Sequence, residues 1–151
     1  MRVGPTLEKI LADYPTDVRM VYKMHPLPMH QNAMPAAEAA MAANAQGKFA
    51  AMNEKLLANS AALSRDKYLQ IATELGLDVK KFTNDIDTHA FKADIDAMAA
   101  EAMKVGASGT PASFVNGRFL SGAQPYEAFK KLIDEEIAKA TKPSSPGAVA
   151  P

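Results

Sequence analysis

The sequence predicts a single α/β domain with few strands and a large helical block. Apolar residues recur at helical spacing through most of residues 31–105. Two shorter stretches rich in β-branched and aromatic residues, at 18–24 and 112–122, have the composition of strands. The expected order is therefore helix, strand, helical block, hairpin and helix, within a chain of 151 residues that is long enough for one domain.

The N-terminal part is expected to contain one helix and one strand. Apolar side chains recur at helical spacing over residues 5–14, and Pro15 ends that helix. Residues 18–24, VRMVYKM, are typical of a strand buried on both faces or nearly so, and the prolines of HPLP at 25–28 end it. The order of elements gives this strand no certain neighbour, so a strand of the sheet is expected to be missing.

The middle of the chain is expected to be a series of helices. Ser64 and Asp78 are suitable N-caps for two of them, and Gly47, Gly76 and Gly106 are suitable positions for helix ends. The many alanines indicate close contacts between helices. Methionines on the apolar stripes are expected to fill the core, which is a commoner role than lining a cofactor pocket.

The C-terminal part is expected to hold a hairpin and a last helix. Asn116 and Gly117 stand between two short apolar runs, and this pair favours a type I′ turn because both residues accept positive φ. Gln124 and Pro125 open an amphipathic helix. Residues 141–151, rich in proline, serine and alanine, are expected to form a disordered tail after a domain of residues 1–140.

Composition excludes several classes of function. Seventeen basic residues balance seventeen acidic ones, so nothing steers the chain toward nucleic acid or anionic lipid. No apolar run has the length of a membrane span, and the N-terminus has no apolar core of a signal peptide.

The absence of cysteine excludes thiol catalysis, disulfides and thiolate metal sites in these 151 residues. His25, His30 and His89 are too widely separated to suggest a metal site, and no phosphate-binding or nucleophile-elbow motif occurs. His25, at a strand end, could tune a nearby thiol but is rather expected to face solvent or act as a cap. His30 is expected to lie near a helix start, and His89 to lie on the surface between helices. No cofactor is expected.

Two long segments carry a resemblance to a known family. RVGPTLEKILADYPTDVRMVYKMHPLPMHQNAMPAAEAA and VGASGTPASFVNGRFLSGAQPYEAFKKLID resemble the region after the active site in DsbA-like thiol–disulfide oxidoreductases. The resemblance covers residue 2 to about residue 140. It implies a thioredoxin-like sheet with a large helical insertion at about 30–105, and a parent protein that oxidises or isomerises protein disulfides in the periplasm or elsewhere outside the cytoplasm.

The chain departs from the family at its N-terminus. Family members have a strand and a Cys-x-x-Cys motif before the segment that matches residues 2–11, so the first strand and both redox cysteines are missing here, and Pro5 would be a kink within the first helix. The resemblance places the missing strand between the 18–24 strand and the hairpin. We therefore expect no catalytic residue and no dithiol activity in this chain, and we expect strand exchange in a homo-oligomer, or a new pairing, to compensate.

The resemblance also implies a binding site. The family's Thr-Pro peptide is cis, and Thr110–Pro111 matches it, so Thr110 would present backbone groups to extended polypeptides that contain thiols or disulfides. Ser108 and Gly109 would shape this loop and contact substrate through the backbone. From the residues alone, a trans proline at the first position of a strand is the commoner arrangement.

Three other functions stay open at this stage. One is a cysteine-free module that binds peptides or acts as a chaperone. Another is a relative of the kappa-class glutathione transferases and 2-hydroxychromene isomerases, which the Ser-Gly-Thr-Pro form of the loop disfavours. The third is a structural remnant with no ligand.

Overall fold

The computed structural model describes residues 3–141, and it has an α/β architecture dominated by helices. Its helices are α1 (Gly4–Asp13), α2 (Ala33–Asn44), α3 (Phe49–Ala58), α4 (Arg65–Glu74), α5 (Val79–Asp87), α6 (Lys92–Lys104) and α7 (Tyr126–Thr141), with a short 3-10 helix at Ser60–Ala62. The strands are β1 (Ala112–Val115) and β2 (Arg118–Ser121). The predicted tail at 141–151 lies outside the described residues from position 142 onward, and its first residue, Thr141, is instead the last residue of α7.

The chain divides into two compact units. The first consists of the residues up to Val21 together with those from Gly109 onward, and the second is Tyr22–Ser108. The first unit therefore holds α1, the hairpin and α7, whereas the second holds α2 to α6.

The first unit is built on a small apolar core between α1 and α7. Ile10, Phe129 and Ile133 are buried, with exposures of 2%, 2% and 5%. Val115 and Leu120 pack on this core from one face of the hairpin. The amphipathic patterns of α1 and α7 explain this arrangement, because each helix has one apolar stripe and needs a partner to bury it. Pro5 lies in the first turn of the described helix, where its missing N–H is tolerated.

The hairpin forms as predicted from Asn116 and Gly117. Both residues have positive φ, 46° and 84°, as a type I′ turn requires. The strands are antiparallel, and they are the only strands within residues 3–141.

The second unit is a helical cluster centred on α2. Ala39, Ala42 and Ala43 are fully buried, which lets α2 contact α3, α4, α5 and α6 closely, as the alanine content predicted. Met52 is also fully buried and fills the core, whereas Met103 is 58% exposed.

The predicted helix boundaries in this unit are confirmed at both ends. The Ser64 side chain accepts a hydrogen bond from the Lys67 N–H at 3.2 Å, and the Asp78 carboxylate accepts one from the Lys81 N–H at 2.9 Å. The residues that follow α2, α4 and α6 at the predicted ends have positive φ, which suits glycine; they are Gly47, Gly76 and Gly106.

The predicted strand at residues 18–24 is wrong. No strand forms there, and Val21 and Tyr22 are 59% and 49% exposed. A strand exists only where a neighbour satisfies its N–H and C=O groups, and no described residue pairs with this segment in a sheet. Composition favoured a strand, but none of the residues from 3 to 141 forms the neighbouring strand that it needs.

Candidate functional site

The segment that leads into β1 begins at a firmly closed helix end. After α6, Gly106 has a φ of +82°, and the Ala107 N–H donates to the carbonyl of Ala102 at 2.9 Å. This is the six-residue hydrogen bond of a Schellman motif, which ends a helix and turns the chain away from it. Ala107 is 4% exposed and anchors the end of the segment in the helical unit.

The next residues are those for which the sequence predicted substrate contact. Ser108, Gly109 and Thr110 are exposed, and Pro111 is half-buried. The Thr110–Pro111 peptide bond is cis. The Gly122 N–H donates to the Pro111 carbonyl at 3.0 Å, which fixes the start of β1 to the end of β2.

The loop of residues 108–111 has main-chain N–H and C=O groups that are not used within the described structure. No described residue forms a hydrogen bond with the N–H or C=O of Thr110. A Cβ added to Gly109 would meet nothing within 4 Å, and Gly109 does not have positive φ, so the space beside it is open. The four residues 108–111 contain no ionisable side chain, so the loop supplies no general acid or base, and nothing within the loop can activate the Ser108 or Thr110 hydroxyl as a nucleophile.

The hairpin that carries this loop is tied to α7 by an ion pair. Arg118 on β2 donates to Glu135 and, at 3.5 Å, to Glu136. The hydrogen bond from Arg118 is the main cause that lowers the pKa of Glu135. Since the Arg118 and Glu135 side chains are partly exposed to solvent, the pair chiefly orients the hairpin and contributes little to stability.

A second set of polar contacts joins α1 to α7. The Tyr14 hydroxyl donates to Asp134 at 2.6 Å, and Lys130 donates to the same carboxylate at 2.6 Å, so the pKa of Asp134 is lowered by Lys130 and then by Tyr14. The Tyr126 hydroxyl donates to Asp13 at 2.5 Å, and this hydrogen bond raises the pKa of Tyr126 to about 12.

The three histidines lie in different surroundings. Both ring nitrogens of His25 are buried without a hydrogen-bond partner among the described residues, so the expectation of a solvent-facing or capping histidine is wrong. His30 lies in the turn before α2, as expected. His89 lies between α5 and α6 with a side chain that is 65% exposed, and its Nδ1 is 2.8 Å from a carboxylate oxygen of buried Glu38. In the sequence, Glu38 could have been noticed as a single acidic residue within an alanine-rich helix.

Residues 3–141 contain neither a group of side chains suited to a metal ion nor a helix suited to crossing a membrane. No three histidine, aspartate or glutamate side chains in this part of the chain are grouped so that they could hold a metal ion. None of the described helices combines the length and apolarity that crossing a membrane requires.

Known proteins resemble the chain over most of its length. It is 37% identical over 139 residues to Na(+)/H(+) antiporter NhaA 3 of Salinispora tropica, which covers 90% of this chain and 21% of that protein. It is 36% identical over 121 residues to Na(+)/H(+) antiporter NhaA of Herminiimonas arsenicoxydans, which covers 80% of this chain and 19% of that protein. The chain thus spans about a fifth of the length of these curated relatives, and the name antiporter belongs to the whole proteins.

A solved structure resembles the fold as a whole. The crystal structure of a thioredoxin-like oxidoreductase from Silicibacter pomeroyi has a TM-score of 0.67 and 26% identity, over 91% of this chain and 82% of that one. Residues 2–134 match the family model of the DSBA-like thioredoxin domain. The expected fold class, a thioredoxin-like α/β fold with a large helical part and without the first strand, is confirmed by these matches and by the two-stranded sheet of the described residues. This chain belongs to the DSBA-like thioredoxin domain family.

Proposed function

We propose that this chain is the polypeptide-binding part of a DsbA-family protein disulfide oxidoreductase or isomerase domain. The observation that supports this proposal most directly is the exposed loop Ser108–Pro111, whose Thr110 main-chain groups have no partner among the described residues. An extended polypeptide can pair with such groups in the manner of an added strand.

The chemistry of such a domain requires thiols that these 151 residues do not contain. In thiol–disulfide exchange, a thiolate attacks one sulfur of a disulfide, a mixed disulfide forms, and the other sulfur leaves as a thiolate. Cysteines from outside this sequence would have to supply that thiolate. The role left to this chain is to hold an extended polypeptide whose cysteine takes part in the exchange, and on its own the chain performs no exchange.

We extend the same proposal to partners, location and domain limits. Residues 1–140 form one domain with the helical insertion at about 30–105, followed by the tail at 141–151. The parent protein acts in the periplasm or elsewhere outside the cytoplasm, where disulfides persist. Its partners are extended polypeptides with thiols or disulfides, and a second copy of the chain through strand exchange.

A second candidate function is favoured by the absence of cysteine. A module that binds extended peptides or acts as a chaperone would use the same loop without any redox step. The two functions differ in whether the polypeptide must contain cysteine.

The binding part of the proposal can be tested by NMR titration of the full chain. The ligand is a reduced, unfolded polypeptide, and the same polypeptide with serine in place of cysteine is the comparison. We expect chemical-shift changes at residues 108–111. Gly109→Trp should weaken binding at least about tenfold, because the large side chain would fill the open space beside the loop that an incoming polypeptide needs. A loss of this size corresponds to roughly one contact between paired strands. Gly109→Ala is the matched control and should bind like the unsubstituted chain, since its Cβ meets no atom within 4 Å.

The redox part has a separate readout. The chain should give no turnover in an insulin-reduction assay, because it has no thiol to form a mixed disulfide. Turnover by the purified chain, or binding that Gly109→Trp leaves intact, would contradict the proposal. Equal affinity for the cysteine and serine polypeptides agrees with either function, because the loop contacts main-chain groups; the two functions differ in whether the exchange step, and not binding, needs the cysteine of the polypeptide.

A further inference from the structure

The tip of the hairpin holds an asparagine that is followed by glycine. Asn116 and Gly117 are both exposed, and they occupy the two central positions of the turn. An asparagine side chain can lose ammonia when the main-chain nitrogen of the next residue attacks its side-chain carbonyl carbon, which makes asparagine a labile residue. Glycine at the next position favours this attack, because it has no side chain to hinder the approach.

The nitrogen that would attack is not held by a hydrogen bond. No described residue accepts a hydrogen bond from the Gly117 N–H, whereas the flanking residues Val115 and Arg118 pair with each other in the ladder. Hydroxide can therefore remove the Gly117 proton without breaking a hydrogen bond within the described structure. The turn must open far enough to bring this nitrogen to the Asn116 side chain, and the tip of a two-stranded hairpin opens at low cost.

The other five asparagines of the sequence lack this combination, and none of them is followed by glycine. The N–H that follows Asn32 and the one that follows Asn44 each donate to a main-chain carbonyl. Asn53 and Asn84 lie inside α3 and α5, where the next N–H belongs to the helical hydrogen bonds. The side-chain amide of Asn59 donates to a main-chain carbonyl of α3 at 2.8 Å.

The Asn116 side chain lies near an acidic side chain of α7. Glu136 has a side chain that is only 15% exposed, and it accepts hydrogen bonds from Lys139 at 2.5 Å and from Arg118 at 3.5 Å. The pKa of Glu136 is lowered chiefly by Lys139, and the Asn116 amide lowers it further. The position beside Glu136 therefore favours a neutral donor such as an amide over a second carboxylate.

We propose that Asn116 is a modification site, at which the hairpin tip deamidates spontaneously with water as the co-reactant. The Gly117 nitrogen forms a bond to the side-chain carbonyl carbon of Asn116, and ammonia leaves as a cyclic succinimide closes. Water then adds to one of the two ring carbonyls, and the bond from that carbonyl to the ring nitrogen breaks. The product at this position is aspartate or isoaspartate, according to the carbonyl that water attacks, and no residue is oxidised or reduced.

Both products would loosen the tie between the hairpin and α7. Aspartate keeps the turn, since Asp-Gly also suits a type I′ turn, but it brings a second carboxylate close to the largely buried Glu136. Isoaspartate lengthens the main chain within the turn, so Val115 and Arg118 can no longer close a two-residue loop in the same register. The modification would thus act on the contact that orients the hairpin.

Incubation of the full chain in neutral buffer, followed by peptide mapping with mass spectrometry, tests this inference. We expect Asn116 to deamidate at least about tenfold faster than any other asparagine of the chain, and Gly117→Ala to slow its reaction at least about tenfold. Gly117→Ala also strains the turn, because Gly117 has a φ of +84°, so a slower reaction cannot come from a tighter turn. Gly122→Ala is the matched control. Gly122 also has positive φ, +72°, but it does not follow an asparagine, so Asn116 should react at least as fast in this variant as in the unsubstituted chain.

A second measurement tests the effect on α7. Asn116→Asp should speed hydrogen exchange at the Val115 and Arg118 amides at least about threefold, and this effect should disappear when Asn116→Asp is combined with Glu136→Gln. An equal effect with and without Glu136→Gln would overturn the link to α7.

The comparison among the six asparagines needs no variant, so it stays decisive if a glycine variant unfolds. Reaction at Asn116 no faster than at the other asparagines would overturn the modification site, as would an unchanged rate in Gly117→Ala. None of these readouts uses a polypeptide ligand or a thiol, so this inference and the proposed function can fail separately.

Discussion

Replacing Ile10 with alanine should strongly destabilise the unit that carries the candidate site. Ile10 is 2% exposed and lies at the centre of the α1–α7 core, next to Phe129 and Ile133. The change removes about three methylene equivalents, each worth ~0.8 kcal/mol when buried. A residual cavity adds to this loss, and the better helix propensity of alanine offsets about half a kcal/mol of it. We expect a loss of ~3 kcal/mol in the free energy of unfolding, within the range for such substitutions.

Leu11→Ala is the matched control on the neighbouring residue. Leu11 is 41% exposed, so much of its side chain is already in contact with water. Leu11→Ala should lower the free energy of unfolding by less than about 1 kcal/mol. Both variants can be measured by urea denaturation, with hydrogen exchange at α7 amides as the local readout of the same unit.

The outcome that would refute this reasoning is a small difference between the two variants. If Ile10→Ala costs less than about 1 kcal/mol, or no more than Leu11→Ala, then α1 does not contribute a core contact to α7. Loss of protection in α7 with Ile10→Ala, and none with Leu11→Ala, would agree with the structure.

Three further predictions concern acid stability, a tyrosine and a helix cap. The pKa of Asp134 is lowered in the folded chain, chiefly by Lys130, so its contribution to stability is present above its ordinary pKa of 3.8 and is lost as pH falls through the lower folded value. Asp134→Asn should therefore make acid unfolding below pH 3.8 less steep, as measured by circular dichroism. The pKa of Tyr126, about 12, should return toward 10.0 in Asp13→Asn, as followed by NMR of the Tyr126 ring, and an unchanged value would contradict the hydrogen bond. Ser64→Ala should cost ~1 kcal/mol in urea denaturation, because the N-cap of α4 is lost, whereas Ser64→Asp should keep most of that stability.

The sequence predicted the local features of this fold well. Ser64 and Asp78 act as caps because a cap needs only a side-chain oxygen and an N–H three residues later. Asn116 and Gly117 form the turn because positive φ at two adjacent residues is a local requirement. Such features depend on a few neighbouring residues, so one sequence is enough to predict them.

Features that depend on distant partners were predicted less well. Residues 18–24 have the composition of a strand, but a strand needs a neighbour, and composition does not supply one. The contact between Glu38 and His89 joins residues 51 positions apart. The ring nitrogens of His25 have no hydrogen-bond partner among the described residues, and their burial likewise depends on the surrounding packing, which no local pattern in HPLP indicates.

At the candidate site, the sequence identified the loop, and the structure gave its exposure and its hydrogen bonds. Residues 108–111 were named from the resemblance, and the structure shows that Ser108, Gly109 and Thr110 are exposed. The role of Gln124 was not predicted, because its bond to the Ser121 carbonyl follows from the way the chain turns after β2.

That glutamine limits what can be added to the β2 side of the hairpin. A strand that extends a sheet needs free main-chain N–H and C=O groups along the edge that it approaches. The Gln124 amide already donates to the Ser121 carbonyl, so an incoming strand would first have to displace it. The chain's own side chain therefore protects this side against extension of the sheet by another polypeptide.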